Sequence, residues 1–182
     1  MRETISENYR IMQQELHKNP NYGVASLAFS PLISEIIKTK KIKSLTDYGA
    51  GKQNLLKGLR KAGIDNIIYY PYDPAFPDYG PPRKAELVTC IDVLEHIEPE
   101  LLDNVLKELS ELMHGVGFFS IHMGPAQKIL SDGRNAHLIQ QPVSWWLPKL
   151  CNYFEIKQLK THNCMGKGFW VLVESRLEKD LF

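Results

Sequence analysis

The chain contains no run approaching the roughly 18 uninterrupted apolar residues of a membrane-spanning helix, and almost no charge bias. Lys and Arg number 22 against 21 Asp and Glu, a formal net charge of +1 at pH 7. That balance gives no general attraction to nucleic acid. Cysteine is scarce: Cys90, Cys151 and Cys164 show no paired spacing, so neither a zinc site nor a disulfide framework is indicated. The leading residues Met1-Arg2-Glu3-Thr4-Ile5-Ser6-Glu7 are too polar for a secretion signal, and the expected location is the cytoplasm. Internal repeats, low-complexity tracts and a second-domain linker are missing too. What remains, 182 residues with 43% hydrophobic and 24% charged positions, suffices for the core of one domain over 1–182.

The most informative stretch is Thr46-Asp47-Tyr48-Gly49-Ala50-Gly51. Lys43-Ser44-Leu45-Thr46 before it can be extended, and Gln53 to Leu59 after it carries apolar residues at helical spacing. Glycines at 49 and 51 remove side chains that would block a ligand, and the following helix is expected to offer its unpaired N–H groups and positive end. Two phosphate loops fit poorly. The Walker pattern would need glycine at Thr46 and a hydroxyl residue at Gln53, and the dinucleotide fingerprint wants a third glycine at Asn54. Asp47 disfavours a phosphate and suits an ammonium group. The strand Asn66 to Tyr72 ends in a second acid, Asp73, at about the spacing of a ribose-binding carboxylate. Glu86 to Ile91 reads as a buried strand, followed by Asp92-Val93-Leu94-Glu95-His96.

With those three motifs in order, the chain resembles the class I S-adenosylmethionine-dependent methyltransferases from about residue 44 to 122, and more loosely to 175. The resemblance implies an α/β, three-layer αβα Rossmann-like sheet over 44–175, mostly parallel with an antiparallel C-terminal strand, preceded by helices or a lid over 1–40. It implies S-adenosyl-L-methionine as cofactor. Asp47, Gly49 and Gly51 would then position its amino-acid end, with Tyr48 and Ala50 in the same loop, Asp73 and Pro74 at its ribose, and Ile91 and Asp92 as the neighbouring wall. The interval 74–83 departs from the family: Pro74, Pro77, Pro81 and Pro82 leave no room for a regular element, so the third family strand is expected to be missing. Adenine recognition then falls to Phe76, Ile91 or the loop itself.

Residues 1–18 read as a polar leading helix, and Leu32 to Ile37 as part of a second helix packed on the sheet. Lys38, Lys40, Lys41 and Lys43 suit a solvated helix end, with a phosphate-contacting patch as the alternative. Between the helices, Asn19-Pro20-Asn21-Tyr22-Gly23 is either a lid over the cofactor or a plain helix–helix turn. Pro99 to Met113 carries a broad apolar stripe, with Gly115 expected to end that helix. Val116 to Ile121 reads as a strand. Pro142 starts a short helix containing Trp145, Trp146 and a bend point at Pro148. Phe154 to Leu159 and Phe169 to Val173 read as paired strands, joined by a loop containing Gly166 and Gly168.

In an open α/β sheet the ligand crevice lies beyond the carboxyl ends of the strands, which directs attention to Asp92 to His96 and to His122 to Gly124. Glu95, His96, His122 and His137 are the available bases for a hydroxyl acceptor, and His96 is expected to titrate near neutrality. Glu95 and His96 could instead merely orient the next helix. In the polar loop Leu130 to His137, Arg134 could clamp a carboxylate or phosphate and Asn135 could read a polar edge. Asp92, Glu95 and His96 resemble an acidic-acidic-His set associated with a divalent metal in some ubiquinone-pathway O-methyltransferases, but no resident metal is expected here. The reading is a methyltransferase acting on a small-molecule acceptor, at oxygen, with catalytic candidates His96, His122, His137 and Arg134. A non-catalytic accessory binder of the cofactor, an enzyme acting on nucleic acid or protein, and a nicotinamide-dependent oxidoreductase are the alternatives.

Overall fold

The computed structural model describes residues 2–20, 22–163 and 166–176. Asn21 of the turn and Cys164 lie outside the described residues. Two helices lead, α1 (Glu7–His17) and α2 (Ala25–Lys40), and then strands and helices alternate. These are β1 (Ser44–Tyr48), α3 (Asn54–Lys61), β2 (Ile68–Tyr72), β3 (Ala85–Ile91), α4 (Leu102–Leu112), β4 (Met113–His122), α5 (Val143–Cys151), β5 (Phe154–His162) and β6 (Gly168–Ser175).

The six strands form one sheet in the order β2-β1-β3-β4-β6-β5, parallel through β4, with β6 antiparallel to both β4 and β5. β1, β3 and β4 are covered on both faces, so burial runs nearly unbroken along each instead of alternating, with polar Thr46, Asp47 and Thr89 buried too. On one face, Val88, Cys90, Phe119, Ile121 and Val171 pack against α4 and α5. On the other, Leu45, Leu87 and Phe118 meet Phe29, Ile33 and Ile37 of α2 and Leu55 and Leu59 of α3. The first helix begins where Ser6 accepts the Tyr9 N–H, and α2 ends where Lys41 turns left-handed (φ 56°) and Ile42 N–H reaches the Ile37 carbonyl. Lys38, in the basic cluster, donates to the Ala62 carbonyl, pinning α2 to the end of α3.

Two boundaries differ from the expectation. α4 passes directly into β4 at Met113, so Gly115 does not end a helix. It lies in the strand, where an added Cβ would stand 2.5 Å from the Glu86 carbonyl oxygen. Gly168 opens β6 rather than lying in the loop before it. The sheet ends at β2, with no strand beyond it among the described residues. Pro71 is tolerated there because an edge strand needs ladder bonds on one side only. Between β2 and β3 the chain makes only a 3₁₀ turn at Pro77–Tyr79.

α2 and α3 cross closely at Gly58, where an added Cβ would lie 2.4 Å from Ser30 Oγ and 2.5 Å from Ser30 Cβ. Gly58→Ala should therefore lower the urea midpoint, by roughly 1–3 kcal/mol of overpacking, against the gain of about 1 kcal/mol that alanine brings to an open helix. A raised midpoint would mean that the two helices part freely.

Candidate active site

The carboxyl ends of β1, β3 and β4 open into a cavity of about 680 Å³, walled on the far side by α1 and the segment leading into α2. The glycine loop forms one end. Gly49 takes φ 80°, and a Cβ there would lie 2.3 Å from Val93 Cγ2, so glycine is required both by conformation and by space. The loop's own N–H groups are already taken. Gly49 and Ala50 N–H both donate to the Tyr72 carbonyl (2.8 and 3.0 Å), and Gly51 N–H donates to Asp73 Oδ2 (2.9 Å). The loop is latched to the end of β2.

Asp73 also accepts from the Ala75 N–H at 2.8 Å, and burial raises its carboxyl above the usual value despite both bonds. Asp47 is buried at the end of β1, accepting from the Tyr69 hydroxyl and, at 3.0 Å, from Thr89 Oγ1. Burial pushes its carboxyl up from 3.8 to about 6. Neither acid has a cationic side chain against it among the described contacts. Tyr48 borders the cavity, while its hydroxyl reaches away to Glu108 of α4. Ala50, Pro74, Ile91 and Asp92 also line it. Asp92 adopts φ 51° and accepts from Ser120 Oγ. Phe76 is not in the wall. It stacks on Tyr79, whose hydroxyl donates to the Gly51 carbonyl (2.8 Å), so the segment in place of the missing strand buttresses the loop from behind.

The other end of the cavity gathers three histidines. His96, His122 and His137 all line it, with ring centroids 4.7 Å apart for His96 and His137 and 4.8 Å for His122 and His137. His96 does not titrate near neutrality: desolvation in the wall, then the neighbouring His137, lowers it to about 3. His137 is lowered too, first by burial. Nδ1 of His96 lies 2.8 Å from the Ala136 carbonyl and Nδ1 of His137 lies 2.7 Å from the Gly124 carbonyl. A carbonyl only accepts, so both rings carry the proton on Nδ1 and keep a lone pair on Nε2. His122 Nδ1 faces both backbone groups of Gly124, 3.0 Å from the nitrogen and 3.1 Å from the carbonyl oxygen.

Glu95 is fully buried beneath them and does more than orient a helix. Its Oε1 accepts the His122 N–H (2.9 Å), and its Oε2 has no hydrogen-bond partner. Glu95, His96 and His137 each bring one ligand-capable atom within 4.8 Å of the others, and Asp92 is not in that group.

Arg134 lies outside the cavity, exposed and paired with Asp132, its guanidinium 5.9 Å from the centre of the Tyr9 ring. Asn135 does not face the cavity either. Its amide holds both backbone groups of Ala126 at 2.9 Å. Sequence reasoning gave α1 as a polar leading helix but missed the residues it brings to the cavity wall. Tyr9, Gln13 and His17 all line the cavity, and their spacing of four puts them on one helical face. Gln13 donates to the Tyr9 hydroxyl, which donates to the His96 carbonyl (both 2.6 Å), and the Tyr22 hydroxyl donates to Gln13 (3.1 Å). Tyr22 thus belongs to the cover over the cavity, and Lys52 and Asn54 bind the backbone of Asn19, Tyr22 and Gly23 to hold that cover down.

No protein-family profile and no curated protein sequence matches the chain. Solved structures do. Over 96% of this chain and 92% of its own, a 1,6-didemethyltoxoflavin-N1-methyltransferase from Burkholderia thailandensis superposes with a TM-score of 0.66 at 10% identity. The N-methyltransferase NodS of Bradyrhizobium japonicum gives 0.61 at 8% identity, covering 93% and 100% of the two chains. Magnesium protoporphyrin IX methyltransferase from Synechocystis gives 0.59 at 15%, covering 91% and 93%. All three were solved with S-adenosylhomocysteine. At these identities the likeness is one of fold, and the chain has the class I S-adenosylmethionine-dependent methyltransferase fold.

Because Asp47 holds its proton to about pH 6 when folded but only to about 3.8 when unfolded, its ionisation destabilises the fold progressively as pH rises between those values. Asp47→Asn should be more stable than the parent at pH 7 by on the order of 2 kcal/mol, a difference that vanishes near pH 4. Urea unfolding at both pH values checks this, and a pH-independent difference would sink it.

Proposed function

We propose that this chain is a methyltransferase that binds S-adenosyl-L-methionine and methylates a small-molecule acceptor at oxygen. The observation that carries the reading is the cavity itself, with buried acids at the glycine-loop end and lone-pair imidazoles at the other. Its volume of about 680 Å³ falls within the range of roughly 300–1,000 Å³ for small-molecule sites.

The cofactor's amino-acid end carries an ammonium, the partner that Asp47 lacks. Asp73, held in place by two backbone N–H groups, keeps lone pairs for the ribose hydroxyls. Ile91 and Pro74 supply apolar wall beside it. When bound, the cofactor supplies a methyl group activated on a sulfonium. The protein's part is alignment and proton removal. An acceptor hydroxyl set against the Nε2 lone pair of His137 gives its proton to that nitrogen as its oxygen takes the methyl. The lowered affinity of the His96 and His137 rings for protons keeps that lone pair free at neutral pH. His122 lines the same end of the cavity. Arg134 has no part in this scheme. Tyr9, Gln13 and Tyr22 cover the cavity on the α1 side, and a cavity of this size suits a small acceptor.

Calorimetry should give one S-adenosylhomocysteine per chain, with affinity falling about tenfold per pH unit below pH 6 as Asp47 takes up its proton. Asp73→Asn should weaken binding at least tenfold, whereas His137→Ala should bind the cofactor normally and lose transfer to hydroxyl acceptors. Failure of the parent chain to bind the cofactor overturns the reading.

A further inference from the structure

Beneath the acceptor end of the cavity lies a carboxylate oxygen with nothing to bind. Glu95 is 0% exposed, Oε2 has no hydrogen-bond partner, and among the described residues no Lys or Arg pairs with it. The charge that acts on it is that of Asp92, which has the same sign. A carboxylate in such a place is stable as an anion only beside a cation.

Two imidazoles approach the same point. One ligand atom from each of Glu95, His96 and His137 lies within 4.8 Å of the other two. Both rings are tied through Nδ1 to backbone carbonyls, of Ala136 and Gly124, which fixes the tautomer and turns the Nε2 lone pair toward a ligand. That outer-sphere anchoring is the usual support for a metal-binding histidine. We propose that Glu95, His96 and His137 form a binding site for one divalent transition-metal ion.

The donor set selects the ion. Two imidazole nitrogens and one carboxylate oxygen suit Zn²⁺, Co²⁺ or Mn²⁺, while Mg²⁺ and Ca²⁺ prefer oxygen alone. Bonds of about 2.0–2.2 Å set ligands roughly 3–4 Å apart, so binding draws the three groups together by about 1 Å. Asp92 and His122 lie outside that group, Asp92 accepting from Ser120 Oγ and His122 Nδ1 facing the Gly124 backbone. Three protein ligands leave coordination positions open toward the cavity. With the ion bound, the His137 lone pair belongs to the metal, and an acceptor oxygen in an open position would be acidified by the ion in place of that ring; this consequence rests on the methyltransferase reading, whereas the ion site itself does not.

The test is titration of the chelator-treated full chain with Co²⁺, followed by visible absorption and by displacement with Zn²⁺. The expected result is one ion per chain with the intense visible bands of low-coordinate Co²⁺. Glu95→Gln and His137→Gln should each weaken binding at least ~100-fold, beyond the loss typical of an outer-sphere change, with circular dichroism unchanged. S-adenosylhomocysteine calorimetry on the same samples separates the two readings, since cofactor binding should survive His137→Gln. Metal binding without cofactor binding would leave the ion site standing and remove the methyltransferase reading. Absence of stoichiometric binding, or binding unaltered in a folded His137→Gln variant, overturns the proposal.

Discussion

The site depends first on the latch between the glycine loop and the end of β2. The Tyr72 carbonyl takes the N–H groups of Gly49 and Ala50, and Asp73 takes that of Gly51. The loop is therefore shaped by a neighbouring strand and not by its ligand, with its donors satisfied before anything binds. In an edge strand that arrangement needs outside support, because no strand among the described residues pairs with β2 on its free side. Tyr79 provides it by binding the Gly51 carbonyl, and Phe76 stacks behind Tyr79. The short segment that stands where a strand and helix are missing thus braces the loop that those elements would have flanked.

The second constraint is desolvation. Asp47, Glu95 and His96 are each shifted from their ordinary titration chiefly by burial: the acids rise and the imidazole falls. Each shift resists charge, and at the imidazole end of the cavity one carboxyl oxygen, Glu95 Oε2, is left without a partner. A core optimised for stability alone would hold none of these groups, and a stability cost of this kind is what proteins carry at functional sites. α1 closes this region without charge, through the hydroxyl and amide chain of Tyr22, Gln13 and Tyr9. Glu98 holds the start of that helix by accepting from Ser6 N–H (2.8 Å) and Ser6 Oγ (2.6 Å).

What could be read in the sequence was what local chemistry dictates. The glycine loop, the acids at 47 and 73 and the buried runs of β3 and β4 are periodic or turn-bound, and each stands where its spacing predicts. The missing strand was legible too, because four nearby prolines forbid a regular element. Less legible were choices made by tertiary contact. Gly115 resembles a helix terminator, but its place is fixed by the close approach of the Glu86 carbonyl. His96 carries no mark of its burial in its neighbours. Tyr9, Gln13 and His17 share a face, yet in a polar helix that face points at nothing until the cavity exists.

The polar loop after β4 shows why residue type misled while position did not. Arg134, Asn135 and His137 looked like three functional groups in a row. Arg134 and Asn135 instead build a tight hairpin: Arg134 pairs with Asp132, Asn135 clamps Ala126, and Ile129 bridges Asn135. Beyond the turn, Ala136 N–H binds the Lys128 carbonyl and Ile139 N–H binds the carbonyl of Glu95 itself. The hairpin is thereby fastened to the segment that carries Glu95 and His96, and the ring brought between those anchors is His137. Most of the hairpin is exposed, and its small apolar cluster of Leu130 and Ala136 with Tyr9 does not by itself explain why one imidazole is fixed beside a carboxylate. That placement is accounted for if the lone pair of that ring has a partner to meet.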